Sequence, residues 1–323
     1  MNAQVEQLNN EGVQYFLEGA FSDARKKYTK ALKLSPEYST TLNNLGMLSL
    51  QEKDFDQAES YFKKALSIQE KATYFNNLGH TYANQNKLDL AEEQYMNALG
   101  ENDKSLTAFE SLANLYQHTR RFQSSIKIWQ HIVLELSHDA DYKLNLAKDY
   151  LELEEFEMAM DVLLEIIQQK KHREYAYYYI SLIHLQNQNY GLSKDAIQRS
   201  LAVQPENVEF RKLAGTIHLS LSNLQEAISE WSFILKLDPY NHEVRTDIAV
   251  ALLSFQHFEQ ALEQLNFILE VSDFAKAKYY KALTLLEMSD HKKEALDILN
   301  EIGNSDSIYS SQAKEYTAFI TSQ

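Results

Sequence analysis

The chain has 323 residues, 44% of them hydrophobic, with eight glycines, three prolines and no cysteine, which excludes disulfides, thiolate metal sites and cysteine nucleophiles and disfavours a sheet-rich fold. The formal net charge of −15 argues against a surface built to neutralise nucleic-acid phosphates and suits neutral or basic partners. The opening MNAQVEQLNNEG lacks the basic start and apolar run of a secretion signal, and no later run reaches membrane-spanning length, so the expectation is a cytoplasmic protein in a reducing compartment.

Helical patterning begins at once. In NNEGVQYFLEGAFSDARKKYTKALKLSP two amphipathic stretches flank the polar turn LEGAF, and Pro36 stops the second. The next segment, LNNLGMLSLQEKDFDQAESYFKKAL, repeats the arrangement around QEKDF, and LSNLQ is the matching turn of a later copy. One small residue per copy keeps the phase: Gly12, Gly46, Gly79, Ala113, Ala147, Ser181, Gly215, Ala249 and Ala282 step by 34, 33, 34, 34, 34, 34, 34 and 33. A second series, Ala24, Ala58, Ala91, Ser125, Ala159, Ser193, Ala227, Ala261 and Ala295, follows each by twelve or thirteen residues. Pro36, Pro205 and Pro239 fall nearly in the same phase. Helices of a hairpin approach closely where side chains are short, and Tyr28, Phe62, Tyr95, Trp129 and Trp231 fill the space beside those positions.

Taken together these residues resemble the tetratricopeptide repeat over about residues 5–302. The resemblance implies an all-α, right-handed superhelical solenoid of nine helical hairpins, at about 5–38, 39–71, 72–105, 106–139, 140–173, 174–207, 208–241, 242–274 and 275–302, with residues 303–323 as a C-terminal capping helix. The motif departs from the family pattern toward the C-terminus. Ala31, Ala65 and Ala98 give way to Ile132, Ile166, Ser200, Ile234, Ile268 and Ile302, and the ninth copy carries an extra residue near SDHKKEA, so packing there should be less regular. Tyr309, Ala313, Tyr316 and Ile320 form one apolar stripe suited to covering the exposed end of a stack. At the other end Glu11 stands where Leu45, Leu78, Leu112 and Leu146 recur, a charge tolerable where no hairpin precedes.

No phosphate loop, zinc-protease helix, serine elbow or kinase set is present, so neither catalysis nor a cofactor or metal is expected. His184 and His218 share one site in successive repeats and make the best candidate for a metal or pH-sensitive pair, although tyrosines at the same site elsewhere favour a packing role. The acidic ELEEFE lies at a hairpin turn, and Lys170, Lys171, His172 and Arg173 suit a helix C-terminus.

The resemblance implies that the first helix of each hairpin lines a concave face. There Asn10, Asn44, Asn77 and Asn145 form an asparagine ladder able either to pair with the backbone of an extended peptide or to bond between neighbouring helices. The family's variant that clamps a peptide carboxylate is not matched, since its sites read Asn9, Val13, Asn44, Thr73 and Asn77, of which only one fits. Further along, the lining turns aromatic and aliphatic. Tyr175, Tyr178, Tyr179, Leu182, Tyr279 and Tyr280 are the candidate groove residues, with Tyr177 assigned to packing inside the hairpin. The expected function is a non-catalytic scaffold or adaptor holding a peptide segment or partner helix, the partner being a neutral to basic protein or peptide. The alternatives are a recruitment or regulatory subunit of an enzyme whose catalytic part lies on another chain, or a peptide sensor; for the tyrosines themselves, the alternatives are burial against facing repeats of a tightly wound superhelix or in a dimer.

Overall fold

Each period becomes a pair of antiparallel helices because its two amphipathic stretches have one apolar face each and only a short polar turn between them. The computed structural model describes residues 2–288 and 290–322, and the described residues contain helices and turns but no strand. They divide into two compact units, residues 1–171 and 172–323.

The first unit holds five hairpins: α1 (Asn2–Leu17) with α2 (Phe21–Leu34), α3 (Ser39–Gln51) with α4 (Phe55–Ile68), α5 (Ala72–Asn84) with α6 (Leu88–Glu101), α7 (Leu106–His118) with α8 (Phe122–His131), and α9 (Ala140–Glu152) with α10 (Phe156–Gln169). The small residues decide how closely each pair packs. A Cβ on Gly12, Gly46 or Gly79 would lie 2.4, 2.6 or 2.5 Å from the rings of Tyr28, Phe62 and Tyr95, so glycine is what admits those buried rings. Successive hairpins share one continuous core, in which Phe62 of α4, Leu78 and Tyr82 of α5, Tyr95 of α6 and Leu112 of α7 belong to a single apolar cluster. After α8 the chain widens into a π-helical turn, Ile132–Leu136, that places both Ile132 and Val133 in the core. This is the first copy in which isoleucine replaces the alanine of Ala31, Ala65 and Ala98.

The hairpin turns repeat one backbone solution. Gly19, Lys53, Asn86, Arg120, Glu154, Gln188, Ser222 and Gln256 all have positive φ. The next residue donates its N–H five residues back, as from Asp54 to Ser49 and Lys87 to Tyr82, both at 2.9 Å. This left-handed closure satisfies the last carbonyls of the first helix before the chain reverses.

The second unit holds α11 (Arg173–Gln186) with α12 (Tyr190–Val203), α13 (Val208–Ser220) with α14 (Leu224–Leu237), α15 (His242–Ser254) with α16 (Phe258–Val271), α17 (Ala275–Glu287) with α18 (Lys292–Gly303), and α19 (Ser310–Thr321). Between α11 and α12 two buried serines replace alkyl contact with polar exchange, Ser181 Oγ donating to the Ser193 carbonyl and Ser193 Oγ to the Ser181 carbonyl, both at 2.8 Å. In the next hairpin Gly215 lets the Trp231 indole N–H reach the Lys212 carbonyl at 3.1 Å. In the hairpin of Trp129 the small residue at the same offset is Ala113, and the Trp129 indole nitrogen is buried with no partner among the described residues. α19 packs on α18, burying Ala313 and half-burying Tyr309 and Ile320, while Tyr316 stays 44% exposed. The extra residue expected near SDHKKEA falls in a stretch that includes Ser289, outside the described residues.

Candidate protein-binding face

The asparagines of the first unit form a ladder, but across two registers. Asn9, three residues before Gly12, accepts at Oδ1 from Asn44 Nδ2 and Thr41 Oγ1, each at 2.9 Å. One hairpin on, Asn43 Oδ1 accepts from Asn77 Nδ2 at 2.9 Å. A side-chain amide is just long enough to join neighbouring first helices, and Asn44 and Asn77 are used in that way. Asn77 is buried as well, which corrects its expected place on an open surface. Asn10 is exposed, in 3.4 Å contact with Asn9 Nδ2, and Asn145 is half-buried. The series breaks after α5: Asn76 Oδ1 is buried without a partner among the described residues, because Ser111 takes the next donor position and its hydroxyl donates instead to the Thr107 carbonyl at 2.8 Å.

That choice fits one neutral tautomer of His80. With its proton on Thr107, Ser111 Oγ accepts from His80 Nε2 at 3.2 Å, so Nδ1 is left to accept from the Tyr95 hydroxyl at 3.2 Å. Burial holds the His80 pKa below the usual imidazole value, in keeping with a neutral ring whose two nitrogens are both engaged. The fixed residue composition gave no sign of this pairing.

In the second unit the aromatic face is built on Phe210 of α13, which is 1% exposed. Tyr178 stacks on it with centroids 5.2 Å apart and planes at 29°, Tyr175 meets it edge-on at 5.6 Å, and Tyr179 meets Tyr178 edge-on at 5.2 Å. Leu182 and Leu185 pack on the same cluster of Ile197, Phe210, Leu213 and Ile217. Tyr175 is 37% exposed, while Tyr178 and Tyr179 are half-buried. Burial raises the phenol pKa of both, that of Tyr179 to about 12, so both are neutral at physiological pH.

Two tyrosines depart from expectation. Tyr177, assigned to the hairpin interior, is half-buried, with the Arg199 guanidinium 5.5 Å from its ring centroid. The inward positions of α11 belong to Ala176, Ile180, Ser181 and Ile183. Tyr279, expected in the groove with Tyr280, lies in the core and stacks on Tyr309 at 5.1 Å, because α19 covers it. Tyr280 is half-buried beside it. His218 Nδ1 is buried without a partner among the described residues, and burial lowers the His218 pKa. No group of three or more potential metal ligands occurs among the described residues, and none of their helices is long and apolar enough to cross a membrane. Asp149 escaped the sequence reading altogether. It is 1% exposed at a site filled by Leu48, Ile183 and Ile217 in other hairpins, and that register was its only signal.

Comparison with known proteins places these hairpins. Family models described as tetratricopeptide repeat match residues 37–100 and 180–232. Tetratricopeptide repeat protein 6 of Homo sapiens is 36% identical over 66 residues, 20% of this chain and 13% of that protein. The uncharacterized protein ycf37 of Pyropia yezoensis is 39% identical over 57 residues, 18% of this chain and 32% of that protein. The matches thus span a third or less of either relative. Among solved structures, the C-terminal part of a TPR repeat-containing protein from Cytophaga hutchinsonii aligns with a TM-score of 0.62 at 16% identity, covering 73% of this chain and 97% of that one. PilF of Pseudomonas aeruginosa aligns at 0.54 and 14% identity, covering 65% and 96%. At such identities the likeness concerns the fold.

Proposed function

We propose that this chain, a tetratricopeptide repeat protein, is a non-catalytic scaffold that holds a peptide segment or partner helix against its first helices. Repeats of this kind generally serve protein–protein interaction. The observation that carries the reading is the tyrosine cluster of α11. Tyr175, Tyr178 and Tyr179 are held by ring contacts to Phe210 and to each other, with Tyr175 open to solvent. Aromatic anchors of that kind offer large contact area with few rotors left to freeze. Leu182 extends the surface along α11 and Tyr280 supplies a further half-buried ring on α17 of the same unit; in the first unit, taken by itself, Asn10 and Asn145 are the ladder amides proposed for a peptide backbone. A net charge of −15 favours a neutral to basic partner.

The test takes a partner recovered by affinity capture, purified, and titrated against wild type and the double variant Tyr175→Ala, Tyr179→Ala. Binding should weaken by about 2 kcal/mol, roughly thirtyfold, with the melting temperature little changed. Unchanged binding would refute the assignment. Conversion of a dimer into a monomer in the ultracentrifuge would show instead that a second copy occupies this face.

A further inference from the structure

Four residues after the small residue of each first helix, the five hairpins of the first unit carry Phe16, Leu50, Ala83, Gln117 and Leu151. Only α5 places a methyl group there. The following α7 carries Ser111 where α1, α3, α5 and α9 carry Asn10, Asn44, Asn77 and Asn145. These two truncations meet between α5, α6 and α7 and leave a cleft of about 210 Å³. Ala83, Leu88 and Leu115 form its apolar walls together with the rings of His80 and Tyr95, and Asn114 and His118 stand exposed beside it.

The lining contains no carboxylate, lysine or arginine, in a chain of which 24% is charged. Its interior polar atoms are already spent on one another through the bonds Tyr95–His80–Ser111–Thr107. A group entering the cleft therefore finds ring faces and alkyl groups within it, and the exposed Asn114 and His118 beside them. The size is right for one ring, since an apolar cavity of about 150 Å³ accepts benzene.

We propose that the cleft is a side-chain pocket for one phenylalanine of a bound peptide, which supplies from outside the apolar filling that Leu50 and Leu151 supply from within at the same register. Asn114, at the mouth, offers an amide to the backbone of that peptide. The inference rests on the scaffold reading above and adds a residue preference to it. Aspartate is rejected because its charge would be desolvated against the apolar walls.

The experiment uses the full chain and a single-residue probe, so it needs no partner. N-acetyl-phenylalaninamide is titrated while the methyl resonances of Ala83 and Leu115 and the ring resonances of His80 are followed. Saturable shifts are expected, with the aspartate analogue silent. Ala83→Leu fills the cleft from within and should abolish the titration while raising the melting temperature. Shifts that do not saturate, equal response to the phenylalanine and aspartate probes, or a titration that survives Ala83→Leu would overturn the pocket. A failed titration alongside an intact effect of the Tyr175 and Tyr179 substitutions removes the pocket alone. The reverse pattern removes the scaffold reading and leaves the ring pocket standing.

Discussion

Replacing Asp149 by leucine should stabilise the first unit. Asp149 lies on α9, 1% exposed, with one carboxyl oxygen accepting from Gln117 Nε2 at 2.6 Å and the other unpartnered among the described residues. Burial is the main cause that raises its pKa; Glu152 adds to the rise, while the nearby Ser125, the hydrogen bond from Gln117 and the charge of Lys148 oppose it. An orphaned buried acceptor costs about 1–3 kcal/mol, and burying a leucine gains about 1.5–3 kcal/mol. Against this stand a lost partner for half-buried Gln117, about 1 kcal/mol, and any strain from the larger side chain, about 1–3 kcal/mol. The expected net gain is about 1–2 kcal/mol, or roughly 2–8 °C in melting temperature for a unit of this size. The pH dependence follows from the direction of the shift. A carboxyl whose folded pKa lies above its unfolded value adds stability fully below the unfolded value, and that contribution is lost as pH rises through the folded one. The advantage of Asp149→Leu over wild type should therefore widen from about pH 4 to neutrality, as read from urea midpoints at several pH values, with Asp149→Asn separating charge from shape. A less stable leucine variant, or an advantage that does not change with pH, would refute this account.

At the α13–α14 contact, Gly215→Ala would set a Cβ 2.2 Å from Trp231 Nε1 and break its bond to Lys212. A loss of about 1–3 kcal/mol is expected, visible as a change in tryptophan emission and an earlier thermal midpoint. Asn77→Ala removes the donor to buried Asn43 and should cost about 1–2 kcal/mol of stability, with ligand affinity affected only through folding. An affinity loss without a stability loss would return Asn77 to the binding surface. Tyr177→Ala forfeits the contact with Arg199 and should cost about 0.5–1 kcal/mol, whereas Phe210→Ala, removing the buried base of the tyrosine cluster, should cost about 3–5 kcal/mol. Equal losses in a paired denaturation series would show that Tyr177 belongs to the core after all.

Residues that act within one period could be read directly. Gly46 and Phe62, or Gly215 and Trp231, meet across a single hairpin at a constant offset, so spacing alone reveals both the helices and their closest approach. The aromatic character of α11 was equally plain, because Tyr175, Tyr178 and Leu182 fall on one helical face. What needed the tertiary structure were relations between periods. Asn44 and Asn77 look identical to Asn10 in register, yet their amides are consumed by Asn9 and Asn43 of the preceding hairpin. Tyr279 sits among groove positions until α19, which belongs to no period, covers it. Ala83 and Ser111 are unremarkable singly and enclose a cleft only because α5 and α7 are neighbours in space. Local periodicity follows from the backbone geometry of one hairpin and is written into consecutive residues, whereas a side chain's final partner depends on which surfaces stacking brings within a few ångströms.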